Sequence, residues 1–231
     1  FPTEQDIEQD FIRKFRETPG RVFVTWSAQN VDRTVTIYRA CLQAGRTLVL
    51  DAYAMDVLER LAPFSQGIPR VGWKQLAAVV AKSNNWLYHS EDRLNAPEFL
   101  DRLAKSGRAS SAAKLETASR DTVVMLRPPL LRDYQRKGVV LTPEDAWVFS
   151  MWSGYLERES FAPLREAFAQ VGVEPEQIHT SGHASRYDLQ GFAAAVAPKQ
   201  MIPIHGDAWD EHGGGFDNLK RLADGELLIL N

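Results

Sequence analysis

Val22-Phe23-Val24-Thr25-Trp26, then Ser27-Ala28-Gln29-Asn30, then Val31 to Ala44 closed by Gly45, then Thr47-Leu48-Val49-Leu50-Asp51: this stretch decides the fold. The first run is apolar and β-branched, as strands are. Asn30 suits a helix N-cap, and Val31, Val35, Tyr38 and Leu42 then share one helical face. Gly45 suits the left-handed position that ends helices. Thr47 to Leu50 is a second buried strand, with Asp51 at its carboxyl end. Short apolar runs separated by helices predict a mainly parallel sheet with helices on both faces.

The same alternation continues in both directions. Towards the amino terminus, Thr3 followed by Asp6 has the form of a capping box, and Ile7, Phe11 and Phe15 recur at helical spacing until Pro19-Gly20 stops the helix. Towards the carboxyl terminus, strands are expected at Trp86–Tyr88, Thr122–Leu126, Ala146–Met151, Gln177–Thr180, Met201–Ile204 and Leu227–Leu230. Helices fall between most of them. The expected class is α/β, with no internal repeat and no low-complexity tract.

Two histidines stand in matched contexts: His183 in Ser181-Gly182-His183-Ala184-Ser185, and His205 in Ile202-Pro203-Ile204-His205-Gly206. An amphipathic run, Asp188 to Val196, separates them. Each is expected at the carboxyl end of a strand, where open α/β sheets place their sites. A lone histidine is usually a satisfied structural residue. Two with small neighbours in matched positions point to a site, because Gly182, Ala184 and Gly206 leave the backbone open to a phosphate or a metal. Ser181, Gly182 and Ser185 can offer N–H or O–H groups to a phosphate at the start of the following helix. His179 is expected to pack. His212 and its acidic neighbours Asp207, Asp210 and Glu211 read as a solvated loop, and His89 has no partner that the sequence names.

At 231 residues with 44% hydrophobic side chains, the chain can bury a core as one large domain or two small ones. Its single cysteine, Cys41, excludes a disulfide framework and a cysteine zinc cluster. Phe1-Pro2-Thr3-Glu4 is not a signal peptide, no run is long enough to span a membrane, and the expected location is cytoplasmic. The chain does not begin with Met, which suits a piece of a longer protein.

The net charge is −3, yet Arg102 to Lys137 holds nine basic residues against Glu116, Asp121 and Asp133, a local +6 that leaves −9 elsewhere. Such a run is either a solvated face or a contact for a phosphate backbone. Arg127 directly follows an expected strand and is therefore the one placed to reach a cleft.

The block His179-Thr180-Ser181-Gly182-His183-Ala184-Ser185, Asp188-Leu189, Pro198-Lys199, Ile202-Pro203-Ile204-His205-Gly206 resembles the end of β-CASP metallo-β-lactamase-fold nucleases of the ribonuclease J kind. Trp26 to Arg33 is similar to that family's strand-loop-helix with a basic residue early in the helix. Ala44-Gly45-Arg46 and Phe149 to Tyr155 are similar to later elements of its inserted domain. The resemblance implies three parts: a connecting helix over residues 1–17, a β-CASP domain over 18–155, and the returning carboxyl-terminal part of a metallo-β-lactamase αββα domain over 156–231. It implies that Glu4 is the acidic residue before the inserted domain and that His183 contacts or protonates at the scissile phosphate. It further implies that His205 is a zinc ligand. Arg33 and Arg127 are the basic residues expected to meet substrate. An acidic residue in a first helical turn is also ordinary dipole compensation, so Glu4 has two readings.

The family's principal metal motif, His-x-His-x-Asp-His, is absent. One imidazole does not hold zinc usefully, because the site needs several ligands in fixed geometry. The resemblance therefore implies two zinc ions in an intact parent, none held by this chain alone, and a missing amino-terminal metallo-β-lactamase half as partner. The implied substrate is RNA, cut by metal-dependent phosphodiester hydrolysis. DNA stays open, since DNA-processing members share these motifs, and so does a homo-oligomer. A non-catalytic nucleic-acid-binding or scaffold module is the alternative.

Overall fold

The computed structural model describes residues 2–81, 96–117, 121–182, 184–204 and 215–229. Seven strands make one sheet: β1 (Val22–Thr25), β2 (Thr47–Asp51), β3 (Leu76–Val79), β4 (Ala109–Ser110), β5 (Thr122–Met125), β6 (Ala146–Phe149) and β7 (Pro175–Gln177). Every pairing is parallel, in the order β4-β3-β2-β5-β1-β6-β7. The helices described are α1 (Glu4–Glu17), α2 (Val31–Ala44), α3 (Ala52–Leu61), α4 (Ala96–Lys105), α5 (Lys114–Thr117), α6 (Pro128–Arg136), α7 (Ala162–Ala169) and α8 (Arg186–Val196). The chain is α/β as expected, and Val22–Trp26 and Thr47–Leu50 do lie in one sheet.

The core follows the two-residue period of the strands. Val22 and Val24 face one way, into a cluster with Ile7, Phe11, Ile37, Leu50, Met55 and Leu103 from α1, α2, α3 and α4 and the sheet. Phe23 faces the other way, with Val49, Val124, Trp147 and Phe149, onto Leu130, Leu131 and Tyr134 of α6 and Leu164 and Phe168 of α7. Both faces are covered, which is why β1, β5 and β6 are buried throughout.

Local signals act as read. Thr3 and Asp6 form a reciprocal capping box, Asn30 accepts from the N–H of Arg33 at 3.0 Å, and Gly45 has φ 74°. Asp51 ends β2 and caps α3, accepting from the N–H of Ala54 at 3.0 Å. Gly20 does more than stop α1. Its N–H donates to the Glu144 carbonyl at 2.9 Å, and a Cβ there would stand 2.6 Å from that oxygen.

Several expected strands differ. The segment expected as Gln177–Thr180 forms its strand earlier, at Pro175–Gln177, and β3 and β4 are strands that the sequence pattern does not announce. Met201–Ile204 makes a single parallel bridge, Met201 to Leu219, because Pro203 has no N–H for a ladder. Residues 227–229 carry no strand, and Trp86–Tyr88 lies outside the described residues.

The chain divides into a compact unit, Pro2–Thr180, and a second unit that begins at Ser181. The expected boundaries after residues 17 and 155 both fall inside the first. In that unit, β1 leads through α2 to one side of the sheet and β6 leads through α7 to β7 on the other. β1 and β6 are neighbours, so a topological switch lies between them.

Candidate functional site

Arg33, on the first turn of α2, is fully buried and uses all five guanidinium N–H groups. Nε donates to both oxygens of Glu4, at 3.3 and 3.2 Å. Nη1 donates to Ser150, to its carbonyl at 3.2 Å, and faces Nδ1 of His179 at 3.2 Å. Nη2 donates to Glu4 at 2.9 Å and to the Thr180 carbonyl at 3.2 Å. Glu4 also accepts from the Thr36 hydroxyl at 2.9 Å. One guanidinium thus joins α1, α2, the end of β6 and the segment just before Ser181. The sequence reading has Arg33 meeting substrate. Arg33 is buried with every donor engaged inside the protein, and so acts as a strut between these segments.

His179 shares this node. Burial and the Arg33 guanidinium hold it below the ordinary imidazole range, opposed by the Ser150 backbone and the Glu4 carboxylate. Nothing in the sequence singles out Ser150 or His179 for this role. Thr36 has one local signal, its i,i+3 spacing from Arg33 on the same face of α2.

Arg127 is the opposite kind of arginine. It follows β5 closely, its side chain is 32% exposed, and its Nη2 pairs with the fully buried Asp51. Its Nε is buried without a hydrogen-bond partner among the described residues, and its guanidinium lies 5.7 Å from the Tyr53 ring. It lines a cavity of about 700 Å³ at the carboxyl ends of β1, β5 and β6, together with Gln29, Tyr53, Arg132, Met151 and Phe161. This is the crevice at the switch point, where sheets of this kind bind ligands.

The expected phosphate seat at the start of α8 is different again. Ser185 caps the helix: its hydroxyl accepts from the N–H of Asp188 at 3.1 Å and donates to the Asp188 carboxylate at 2.6 Å. The N–H of Ser185 donates to the same carboxylate at 3.2 Å. These bonds hold Asp188 below the usual carboxylate range. The donors of Ser185 are thus engaged by the protein's own Asp188 carboxylate. Ser181 is half-buried, and Gly182 is exposed with open space where a Cβ would stand. His183 and His205, and the expected approach of their rings, lie outside the described residues.

The described residues do not fit a zinc site. They contain no group of three or more His, Cys, Asp or Glu side chains placed to hold a metal ion. His179, the one histidine among them, turns Nδ1 towards a cation.

Residues 170–209 match a family model described as the RNA specificity domain of Zn-dependent metallo-hydrolases. Ribonuclease J of Sinorhizobium meliloti is 22% identical over 99% of this chain, and that of Mycoplasma genitalium is 24% identical over 99%. The chain is thus similar to ribonuclease J over nearly its whole length. The ribonuclease J of Thermus thermophilus, 22% identical, aligns with 89% of the chain. The chain spans 38% of the length of the first two of these relatives and 32% of the third. The RNA-specificity-domain match at 170–209 takes in His179, the whole Ser181–Ser185 motif and His205.

Proposed function

We propose that this chain is part of a zinc-dependent hydrolase that cuts RNA phosphodiester bonds, with residues 18–155 as its β-CASP domain and 156–231 as the returning half of its metallo-β-lactamase domain. The observation that carries the reading is the position of the RNA-specificity match, which falls on the segment holding both histidine motifs. The Arg33 node supports it, because one guanidinium ties Glu4 to the carbonyl of Thr180, three residues before His183.

In this reading His183 protonates the leaving oxygen, a task suited to a group that titrates near neutrality. His205 contributes one zinc ligand, and the remaining ligands come from outside this chain. Zinc, when bound, activates water and neutralises phosphate charge. The cytoplasm is the compartment that suits such an enzyme.

The test is RNA cleavage and zinc content in a protein of the relatives' full length. His183→Ala is expected to slow cleavage by roughly 10²–10⁴-fold, the worth of a general acid, with zinc retained. His205→Ala is expected to lower zinc content. Full activity in His183→Ala removes the role given to that residue, and a 2′-deoxy substrate cut equally well makes DNA the substrate.

A further inference from the structure

The cavity at the carboxyl ends of β1, β5 and β6 is built wholly from residues 25–163, and none of its lining belongs to the histidine motifs. We propose that it binds one nucleotide unit of single-stranded RNA, with the phosphate on Arg127 and Arg132 and the base against Tyr53 and Phe161. The inference rests on RNA being the substrate class.

The donors come first. Of the N–H groups on Arg127, those of Nη2 are engaged by Asp51, while Nε and Nη1 have no hydrogen-bond partner among the described residues. Arg132, one helical turn further along α6, is exposed and makes no ion pair or hydrogen bond among the described residues. A guanidinium with donors to spare suits a phosphate, which accepts in the same planar fork. Arg33 shows the contrast, since it has none to spare. The start of α6 cannot serve by its backbone, because Pro128 and Pro129 bring no N–H. An anion here is therefore held by side chains.

The walls come second. Tyr53 and Phe161 are half-buried aromatic rings on the cavity, and Tyr53 already stands beside the Arg127 cation. Aromatic faces with arginine beside them are the usual platform for unpaired bases. Glu159 is the one carboxylate among the lining residues, and Arg127 is backed by the buried Asp51, so Arg132 is the lining cation with no ion pair among the described residues. The volume of about 700 Å³ admits a nucleotide.

The experiment is fluorescence anisotropy of a labelled oligouridylate of about ten nucleotides, a length within the usual site size for one strand-binding module. It is measured with the 231-residue chain, with uridine 5′-monophosphate and inorganic phosphate as competitors. Arg132→Gln, Tyr53→Ala and Arg127→Gln are each expected to weaken binding by about tenfold, the order of one lost stacking or phosphate contact. Arg127→Gln also strips buried Asp51 of its cation. Thermal melts therefore accompany each variant, and the exposed Arg132 carries the test if that variant fails to fold. Uridine 5′-monophosphate should compete, more weakly than unlabelled oligomer and better than phosphate.

Absence of binding, or unchanged affinity in Arg132→Gln and Tyr53→Ala, overturns the inference. Phosphate competing as well as the nucleotide removes the base from it, and the mononucleotide binding as tightly as the oligomer makes this a free-nucleotide pocket instead. Failure of cleavage by a protein of the relatives' full length, with cavity binding intact, sinks the hydrolase reading alone. Unchanged binding in the variants, with cleavage by the full-length protein, sinks the cavity alone.

Discussion

Most large side chains of residues 2–180 are buried, whereas those of the described residues from 181 onward are half-buried or exposed. Phe11, Phe15, Phe149 and Phe168 are 0% exposed, whereas Tyr187 is 83%, Phe192 70% and Ile204 94% exposed. Among the described residues of 181–229, none is buried. The first unit has two core clusters on a seven-stranded sheet, and the described part of the second holds one helix, a single bridge and short loop contacts. The stretch matched as an RNA specificity domain thus runs mainly through the unit whose described residues form no core of their own.

The largest effect expected from that contrast is in the core. Phe168→Ala, between Phe23 and Trp147, should cost about 3–5 kcal/mol in urea denaturation. Phe192→Ala should stay within about 0.5 kcal/mol, as exposed substitutions do. Equal losses at the two positions would break the comparison.

Arg33→Met comes next. It leaves Glu4, Ser150 and the Thr180 carbonyl without their shared donor. The expected loss is about 3 kcal/mol, the low end for a broken buried pair, because Glu4 still reaches water. A loss below about 0.5 kcal/mol, the scale of an ordinary surface change, would show that the node does not hold these segments together.

The smallest effect is in pH dependence. His179 is lowered in the folded state, so below the ordinary value of about 6.5 the unfolded chain takes up the proton first. Its contribution to stability is full above that value and falls as pH drops through it towards the lower folded value. Denaturation midpoints measured from about pH 7.5 to about pH 5 should decline, and His179→Gln should flatten part of the decline. An identical slope in the variant would remove His179 from the account.

Much of the fold is legible because β1, α2 and β2 carry consistent signals at every level: apolar strands, an Asn cap, a Gly stop. β3 and β4 are not, since Leu76-Ala77-Ala78-Val79 is half alanine and Ala109–Ser110 is only two residues long. The cavity is legible in part. Arg127 directly after an expected strand is the right residue to place at a cleft, but its partner Asp51 lies 76 positions away. Arg33 cannot be read as a strut from sequence, because its partners Glu4, Ser150 and His179 stand 29, 117 and 146 positions off, and only the folded sheet brings them together. Ser185 reads as a phosphate donor until Asp188, three residues on, is recognised as the other half of a capping box.

The most direct test compares zinc-dependent RNA cleavage by the 231-residue chain with that of a protein of its relatives' full length that contains it. A metal-activated water needs several ligands in fixed geometry, and the described residues contain no such group. The account predicts cleavage that follows zinc in the longer protein and none from the chain alone. Robust zinc-dependent cleavage by the 231 residues alone would contradict it.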